Sequence, residues 1–247
     1  MKISIENLDI TYAKNKKVLH DVSVEIEGPG IIGVLGPTGA GKTTFIKLLI
    51  GELSPTSGQI LVDDVPLPKM KKRLKESLGY LPQSFGLYDE LTLWQFLDYI
   101  AALKGIENSR KIIKEVIKKT NLTDKQEAAI STLSSGERQR IGIAQALMGS
   151  PELLIFDEPT ATLDLEECIN FRNLLSQTAQ DKIVLLSTNI IEDVQLACDQ
   201  LIVIKYGQIL FNGTPEQLIA SAYNHAEKPT LEEAYMYLIK GKEGIEQ

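Results

Sequence analysis

The stretch Gly36-Pro37-Thr38-Gly39-Ala40-Gly41-Lys42-Thr43 fits the pattern G-x-x-x-x-G-K-[S/T], which is typical of the phosphate-binding loop of nucleoside triphosphatases. The apolar runs at 30–35 and 45–50 predict the strand before it and the helix after it that this pattern requires. Backbone N–H groups of a glycine-rich loop and the N-terminus of the following helix both attract phosphate. We therefore expect Lys42 to reach the β- and γ-phosphates and the Thr43 hydroxyl to ligate Mg²⁺.

Composition indicates an ordinary globular chain. It has 247 residues, of which 43% are hydrophobic and 24% charged. The net charge of −7 argues against a nucleic-acid partner. Cys168 and Cys198 are the only cysteines and form no C-x-x-C pattern, which disfavours a disulfide framework or a zinc site. No signal peptide is evident and the longest apolar runs are too short to span a bilayer, so we expect a cytoplasmic chain whose membrane spans, if any, belong to another chain.

Periodicity predicts the order of the elements. Alternating residues predict strands at 2–12 and 18–26, joined by a polar hairpin loop at 13–17. Between about residues 91 and 150 the pattern becomes helical, with caps such as Ser109 and Ser134. Further strands are predicted at 59–63, 78–82, 153–156, 183–187, 201–205 and 208–211, and helices at 92–104, 109–120, 135–149, 166–179 and 190–197.

The alternation of strands with helices predicts an α/β fold whose sheet is mostly parallel and covered on both faces. It carries an antiparallel β part at its N-terminus and a helical insert. We expect a single domain over 1–247, with a core at about 1–90 and 151–247 and a helical subdomain at about 91–150.

A second phosphate element is predicted at 153–158, where an apolar strand ends in two carboxylates. Ligands bind at the carboxyl ends of strands in a doubly wound sheet, which would bring Asp157 near the phosphate loop. Asp157 suits a ligand of Mg²⁺, and Glu158 suits a base that polarises an attacking water. The alternative is a pair of acidic residues that begins a turn before Pro159.

The segment Leu133-Ser134-Ser135-Gly136-Glu137 resembles the signature motif, usually L-S-G-G-Q, of the ATP-binding cassette (ABC) family, specifically of the nucleotide-binding subunits of ABC transporters. The resemblance covers nearly the whole chain. The loop at 36–43 is similar to the family's Walker A motif and 153–158 to its Walker B motif. Gln83 is similar to its Q-loop glutamine, and 162–164 to its D-loop.

The resemblance implies a P-loop NTPase of the ABC type that binds ATP and Mg²⁺ in a head-to-tail dimer with a second cassette and serves a separate transmembrane permease at the cytoplasmic face of the membrane. It implies catalytic roles for Glu158, Gln83 and Asn189, and Mg²⁺ contacts at Thr43, Gln83 and Asp157. ATP contacts are implied at Tyr12, Gly36, Pro37, Thr38, Gly39, Ala40, Gly41, Lys42, Thr43, Thr44, Ser134, Ser135, Gly136, Glu137 and Asp164. Tyr12 occupies the place of the aromatic residue that stacks on adenine, although strand packing also explains an aromatic residue there.

The chain departs from the family pattern in and around these motifs. Ser135 and Glu137 replace a glycine and a glutamine of the signature, and Thr162 and Leu165 replace a glycine and a proline around the D-loop. Asn189 follows Ser-Thr where the family has a histidine that contacts the γ-phosphate. Asparagine can donate a hydrogen bond but cannot carry a positive charge. It either substitutes for the histidine or slows hydrolysis while ATP binding is kept.

The segments 81–88, 142–147, 171–175, 213–216 and 231–235 are similar to cassettes that power exporters, including drug and antimicrobial-peptide efflux systems. A soluble ABC ATPase that acts on ribosomes or DNA is a second interpretation, which the acidic charge disfavours. A P-loop kinase is a third, which the signature motif disfavours.

The permease is expected to dock in a groove between the core and the helical insert. Aromatic residues near Gln83 either line this groove or pack the insert's own core: Phe85, Tyr88, Trp94 and Phe96.

Overall fold

The computed structural model describes residues 1–12, 16–223 and 228–241 of the chain. Its larger sheet has six strands in the order β10-β9-β3-β8-β7-β6. β10 is antiparallel to β9, whereas the other neighbours pair in parallel, which confirms the mostly parallel sheet. The strands are β3 (Gly30–Leu35), β6 (Leu78–Leu81), β7 (Leu153–Asp157), β8 (Ile183–Thr188), β9 (Gln200–Lys205) and β10 (Gln208–Gly213).

The N-terminal β part is a separate antiparallel sheet in the order β2-β1-β4-β5. Its strands are β1 (Lys2–Tyr12), β2 (Lys16–Glu27), β4 (Ser57–Val62) and β5 (Val65–Pro66). The sequence predicts a hairpin loop at 13–17. Residues 13–15 lie outside the described residues, and Lys16 already belongs to β2.

Helices cover both faces of the parallel sheet and form the insert. They are α1 (Lys42–Leu49), α2 (Leu67–Glu76), α3 (Leu93–Leu103), α4 (Ser109–Lys119), α5 (Ser135–Leu147), α6 (Leu165–Thr178), α7 (Ile191–Ala197), α8 (Pro215–Ser221) and α9 (Leu231–Lys240). Among the described residues, no helix combines the length and the apolar character that crossing a bilayer requires.

Of the two helix N-caps predicted from the sequence, Ser134 is confirmed and Ser109 is wrong. Ser134 caps α5 as predicted, with its hydroxyl accepting from the Glu137 N–H. Ser109 is not a cap: it is the first residue of α4, whose N-cap is Asn108 in a left-handed conformation without a side-chain cap bond. Capping boxes at Thr214 and Thr230 begin α8 and α9, two helices that the periodicity did not predict.

The buried residues form distinct clusters. All of β7 and β8 is buried, as expected for parallel strands covered on both faces. The helices of the insert pack around their own cluster, which includes Leu97 and Ile141. Phe96 belongs to this cluster and therefore does not line a surface groove, whereas Tyr88 is exposed and meets Tyr99 edge-on.

Prediction 1 concerns the contact between β6 and α5. A Cβ atom on Gly79 would lie 2.1 Å from the backbone oxygen of Ala146, which cannot move without shifting the helix. We expect Gly79→Ala to lower the free energy of unfolding by about 1–3 kcal/mol, as other overpacked cores do. Gly86→Ala is the control, because a Cβ there meets nothing within 4 Å. Equal urea midpoints for the two variants would contradict the close approach.

Candidate functional site

The candidate site lies where four neighbouring strands of the parallel sheet end. The phosphate loop follows β3, Asn189 follows β8, Glu158 follows β7, and Gln83 comes shortly after β6. Since these strands are parallel, their carboxyl ends share one edge of the sheet. The order of the strands therefore brings together residues that are far apart in the sequence.

The phosphate loop is closed by its own lysine. Lys42 is only 4% exposed, and its Nζ donates to the backbone oxygens of Gly36 (2.8 Å) and Pro37 (3.3 Å). Gly41 is the N-cap of α1 with φ of 109°, a left-handed conformation that suits glycine. Among the described residues, no side chain caps this helix, and its first turn holds no acidic residue. Its N-terminal N–H groups and partial positive charge thus favour an anion.

The residues expected after β7 meet this loop. Thr43 Oγ1 donates to Asp157 Oδ2 at 2.8 Å, so Asp157 lies beside the phosphate loop. Asp157 Oδ1 is buried and makes no hydrogen bond within the described residues. Burial raises the pKa of the Asp157 carboxyl above its usual range. This oxygen is therefore free to take a further ligand beside Thr43.

Glu158 connects the loop to Gln83. One carboxylate oxygen lies 3.3 Å from Lys42 Nζ, and the other accepts from Gln83 Nε2 at 2.9 Å. The backbone of Glu158 has φ of 52°, a left-handed conformation that is uncommon for a residue with a side chain. Its N–H donates to the oxygen of Ser187 at 2.9 Å. The carboxylate is thus held at the loop by a constrained turn.

An open cleft of about 390 Å³ covers these groups. Tyr12 forms one wall; it is 40% exposed, and its hydroxyl lies 3.4 Å from Thr44 Oγ1. The lining residues are Tyr12, Lys16, Val18, Thr38, Gly39, Gly41, Lys42, Thr43, Thr44, Gln83 and Glu158. Lys16 and Val18 are not among the expected ATP contacts, because the sequence predicts a hairpin loop at 13–17 and a strand that begins at Val18. A basic residue near Tyr12 is the signal that could have identified Lys16.

The signature segment does not line this cleft. Its residues form the start of α5, where the Ser134 N–H donates to Glu137 Oε2 at 2.8 Å and the Glu137 N–H donates to Ser134 Oγ at 3.2 Å. Glu137 also pairs with Lys125 at 3.0 Å. The Ser134 N–H bond, followed by Lys125, lowers the pKa of the Glu137 carboxyl.

Asp164 and Asn189 also lie outside the set of residues that line the cleft. Asp164 is the N-cap of α6 and accepts from the Glu167 N–H at 2.8 Å. Asn189 is exposed between β8 and α7. A single copy of the chain thus brings together the Lys42, Thr43, Asp157, Glu158 and Gln83 side chains, and leaves the signature apart.

Comparison with known proteins identifies similar chains. A family model described as ABC transporter matches residues 19–161, more than half of the chain. The ABC transporter ATP-binding protein NatA of Bacillus subtilis is 35% identical over 210 residues, which cover 83% of this chain and 85% of that protein. The lipopolysaccharide export system ATP-binding protein LptB of Haemophilus influenzae is 30% identical, covering 88% of this chain and 92% of that protein.

One further relative belongs to an import system. The phosphonates import ATP-binding protein PhnC 2 of Haloarcula marismortui is 31% identical, covering 89% of this chain and 87% of that protein. Among solved structures, an ATP-binding subunit of an ABC transporter has a TM-score of 0.86 at 24% identity, covering 97% of this chain and all of that one. The dimeric cassette MJ0796, bound to ADP and Pi, has a TM-score of 0.78 at 23% identity, covering 86% of this chain and 98% of that one. Both structures share the fold.

Prediction 2 concerns the capping box of α5. Ser134→Ala removes the hydroxyl that accepts from the Glu137 N–H, so we expect the free energy of unfolding to fall by about 1 kcal/mol. Ser135→Ala is the control, because Ser135 is the exposed first residue of α5 and the cap bond is made by Ser134. Thermal unfolding of both variants measures the difference. An equal or smaller effect of Ser134→Ala would show that the box does not stabilise the helix.

Proposed function

The chain belongs to the ATP-binding cassette family of ABC transporters, and on that premise we propose that it binds and hydrolyses ATP to drive export through a separate permease, as one half of a head-to-tail cassette dimer. The observation that carries this proposal is the convergence of Lys42, Thr43, Asp157 and Glu158 at one edge of the parallel sheet.

The cleft offers a place for each part of ATP. The N-terminus of α1 and Lys42 face the phosphates, and Tyr12 is placed to stack on the base. Thr44 lines the same wall as Tyr12. In the structure, Lys42 pairs with Glu158 at 3.3 Å. We propose that the triphosphate replaces Glu158 as the anionic partner of Lys42, which leaves the Glu158 carboxylate free to take a proton from water.

The residues present fit Mg²⁺. Asp157 Oδ1 is buried without a partner among the described residues, and the Thr43 hydroxyl lies beside the same carboxylate. The described residues contain no cluster of three or more His, Cys, Asp or Glu side chains placed to hold a metal. Mg²⁺ is usually bound through one or two carboxylates together with substrate phosphates, so one carboxylate and a hydroxyl are a suitable set of protein ligands. Thr43, Asp157 and Gln83 would hold it, and when bound it would neutralise charge on the phosphates.

The signature segment supports the dimer. Ser134 and Ser135 are exposed at a capped helix start, with the buried Gly136 next to them, and none of the three lines the cleft of its own chain. We propose that they contact the γ-phosphate held by a second cassette, whose Asp164 loop lies at the same interface. ATP would then hold the two copies together, and loss of the γ-phosphate would release them.

We propose that the permease docks in a groove between the core, at about 1–90 and 151–247, and the helical subdomain, at about 91–150. The exposed Tyr88 and Tyr99, which meet edge-on, support this surface. Docking there would hold the chain at the cytoplasmic face of the membrane.

Export is supported by the exporter-like segments and by the likeness to LptB, although PhnC 2 is named for import.

Asn189 supports a reduced rate of hydrolysis. It is exposed directly after β8, next to the strand that leads into the phosphate loop. Its amide donates a neutral hydrogen bond, whereas a charged donor forms a bond about twice as strong. We propose that ATP binding is kept and that turnover is slowed.

Prediction 3 separates binding from turnover. Glu158→Gln removes the base but keeps Lys42, Thr43 and Asp157, so we expect ATP affinity to stay within a few-fold while the hydrolysis rate falls by about 10²–10⁴. Lys42→Ala should lose ATP binding in the same titration, because the phosphates lose their buried cation. Lys47→Ala, on the same helix, is the control. A Glu158→Gln variant that turns over at the parent rate would show that Glu158 is not the base.

Prediction 4 concerns Asn189→His. Charge grows on the phosphoryl oxygens in the transition state, so a donor that can be protonated lowers the barrier more than it strengthens ATP binding. We expect the steady-state ATPase rate to rise by about tenfold or more, since one such donor contributes about 10²–10³ in comparable sites. Asn173→His, on the exposed side of α6, is the control. Equal rates in parent and variant would show that asparagine fully replaces the histidine.

A further inference from the structure

Asp193 is a buried carboxylate to which the reaction described above gives no role. It lies in the first turn of α7 and is 1% exposed. Its Oδ2 accepts from Thr160 Oγ1 at 2.6 Å and from Thr188 Oγ1 at 3.2 Å. Its Oδ1 accepts from Arg172 at 2.9 Å. A buried charge persists only when it is paired and hydrogen-bonded in this way, so the network is specific in its geometry.

The donors come from segments that flank the site. Thr160 follows Glu158 by two residues, and Thr188 immediately precedes Asn189. Arg172 lies on α6, the helix that Asp164 caps. Thr188 Oγ1 also accepts from the Ile190 N–H at 3.0 Å, so the backbone on both sides of Asn189 is fixed. One carboxylate thus connects the turn of Glu158, the turn of Asn189 and the D-loop helix.

The turn of Glu158 needs such support. Its left-handed backbone, with φ of 52°, is a strained conformation that persists only where the surroundings hold it. Three of the bonds that hold this turn are Glu158 N–H to the Ser187 oxygen at 2.9 Å, Gln139 Nε2 to the Pro159 oxygen at 2.9 Å, and the Thr160 hydroxyl to Asp193 at 2.6 Å. The Thr160 bond is the shortest of them and is fully buried.

We propose that Asp193, acting through Thr160 and Thr188, is a positioning residue that holds Glu158 and Asn189 in register for hydrolysis. This rests on the proposed ATPase function and extends it to residues that do not touch the nucleotide. The hydrogen bonds of this network involve none of Lys42, Thr43 or Tyr12. Its loss should therefore change the rate of hydrolysis and leave ATP affinity unchanged.

The test uses Thr160→Val, which removes the hydroxyl and keeps the volume, and Thr160→Ser, which restores a hydroxyl. Thr120→Val is a matched control: Thr120 and Thr160 are both 5% exposed, and the Thr120 hydroxyl donates to the Val116 oxygen at 2.8 Å inside the helical insert. Each variant is compared for ATP affinity, kcat and melting temperature. A misplacement of about 1 Å costs on the order of 100-fold in rate, so we expect kcat to fall by about 10–100-fold in Thr160→Val.

Support requires that ATP affinity stays within about twofold in Thr160→Val, that Thr160→Ser recovers most of kcat, and that Thr120→Val keeps the parent kcat. Asp193→Asn should repeat the loss of kcat, with Asp199→Asn as its control because Asp199 accepts from the Ile31 N–H at the opposite end of β3. An unchanged kcat in folded Thr160→Val, or a parallel loss in Thr120→Val, would overturn the proposal. If the parent hydrolyses ATP and Glu158→Gln does not, the proposed function stands, whatever the kcat of the Thr160 variants. A parent that hydrolyses no ATP would overturn both.

Discussion

The parallel, in-register pairing of β3 with β8 and of β8 with β7 is the constraint on which the site depends. Val34 and Asp157 both pair with Ser187, so the end of β7 is held one strand away from the start of the phosphate loop. Parallel strands need long crossover connections and helices on both faces, which is why β7 and β8 are buried throughout. The same pairing brings Thr43 to Asp157 across 114 residues of sequence.

Asp157 and Asp193 are two buried carboxylates that accept hydrogen bonds from threonine hydroxyls. Asp157 accepts from Thr43, and its other oxygen has no hydrogen-bond partner among the described residues. Both oxygens of Asp193 are bonded, to Thr160, Thr188 and Arg172. A free oxygen is what a metal ligand requires, while a fully bonded carboxylate gives a rigid support. Asp157 thus has an oxygen available for a metal ion, whereas Asp193 has none.

The start of α5, in the helical insert, does not line the cleft. α5 begins at a capping box that is further fixed by the Lys125–Glu137 pair. Glu167 connects this helix start to α6: it lies 3.3 Å from Arg140, and a Cβ on Gly136 would come within 2.5 Å of it. The start of α5 is therefore fixed relative to the D-loop helix but remote from the cleft of its own chain. A capped helix start that does not line the cleft of its own chain is consistent with the proposed contact to a second cassette.

The sequence by itself determined the family, the α/β fold, the strand–loop–helix around Lys42 and the capping box at Ser134. These features depend on contiguous patterns or on bonds between residues three apart, which a local pattern records. The same local pattern predicts Ser109 as the N-cap of α4, but in the structure the N-cap is Asn108 and Ser109 is the first helical residue. The bond from Gln83 to Glu158, the free oxygen of Asp157 and the Asp193 network were decided only by the tertiary structure. Their partners lie 5 to 75 residues apart and carry no periodicity, so only the path of the backbone through the sheet brings them together.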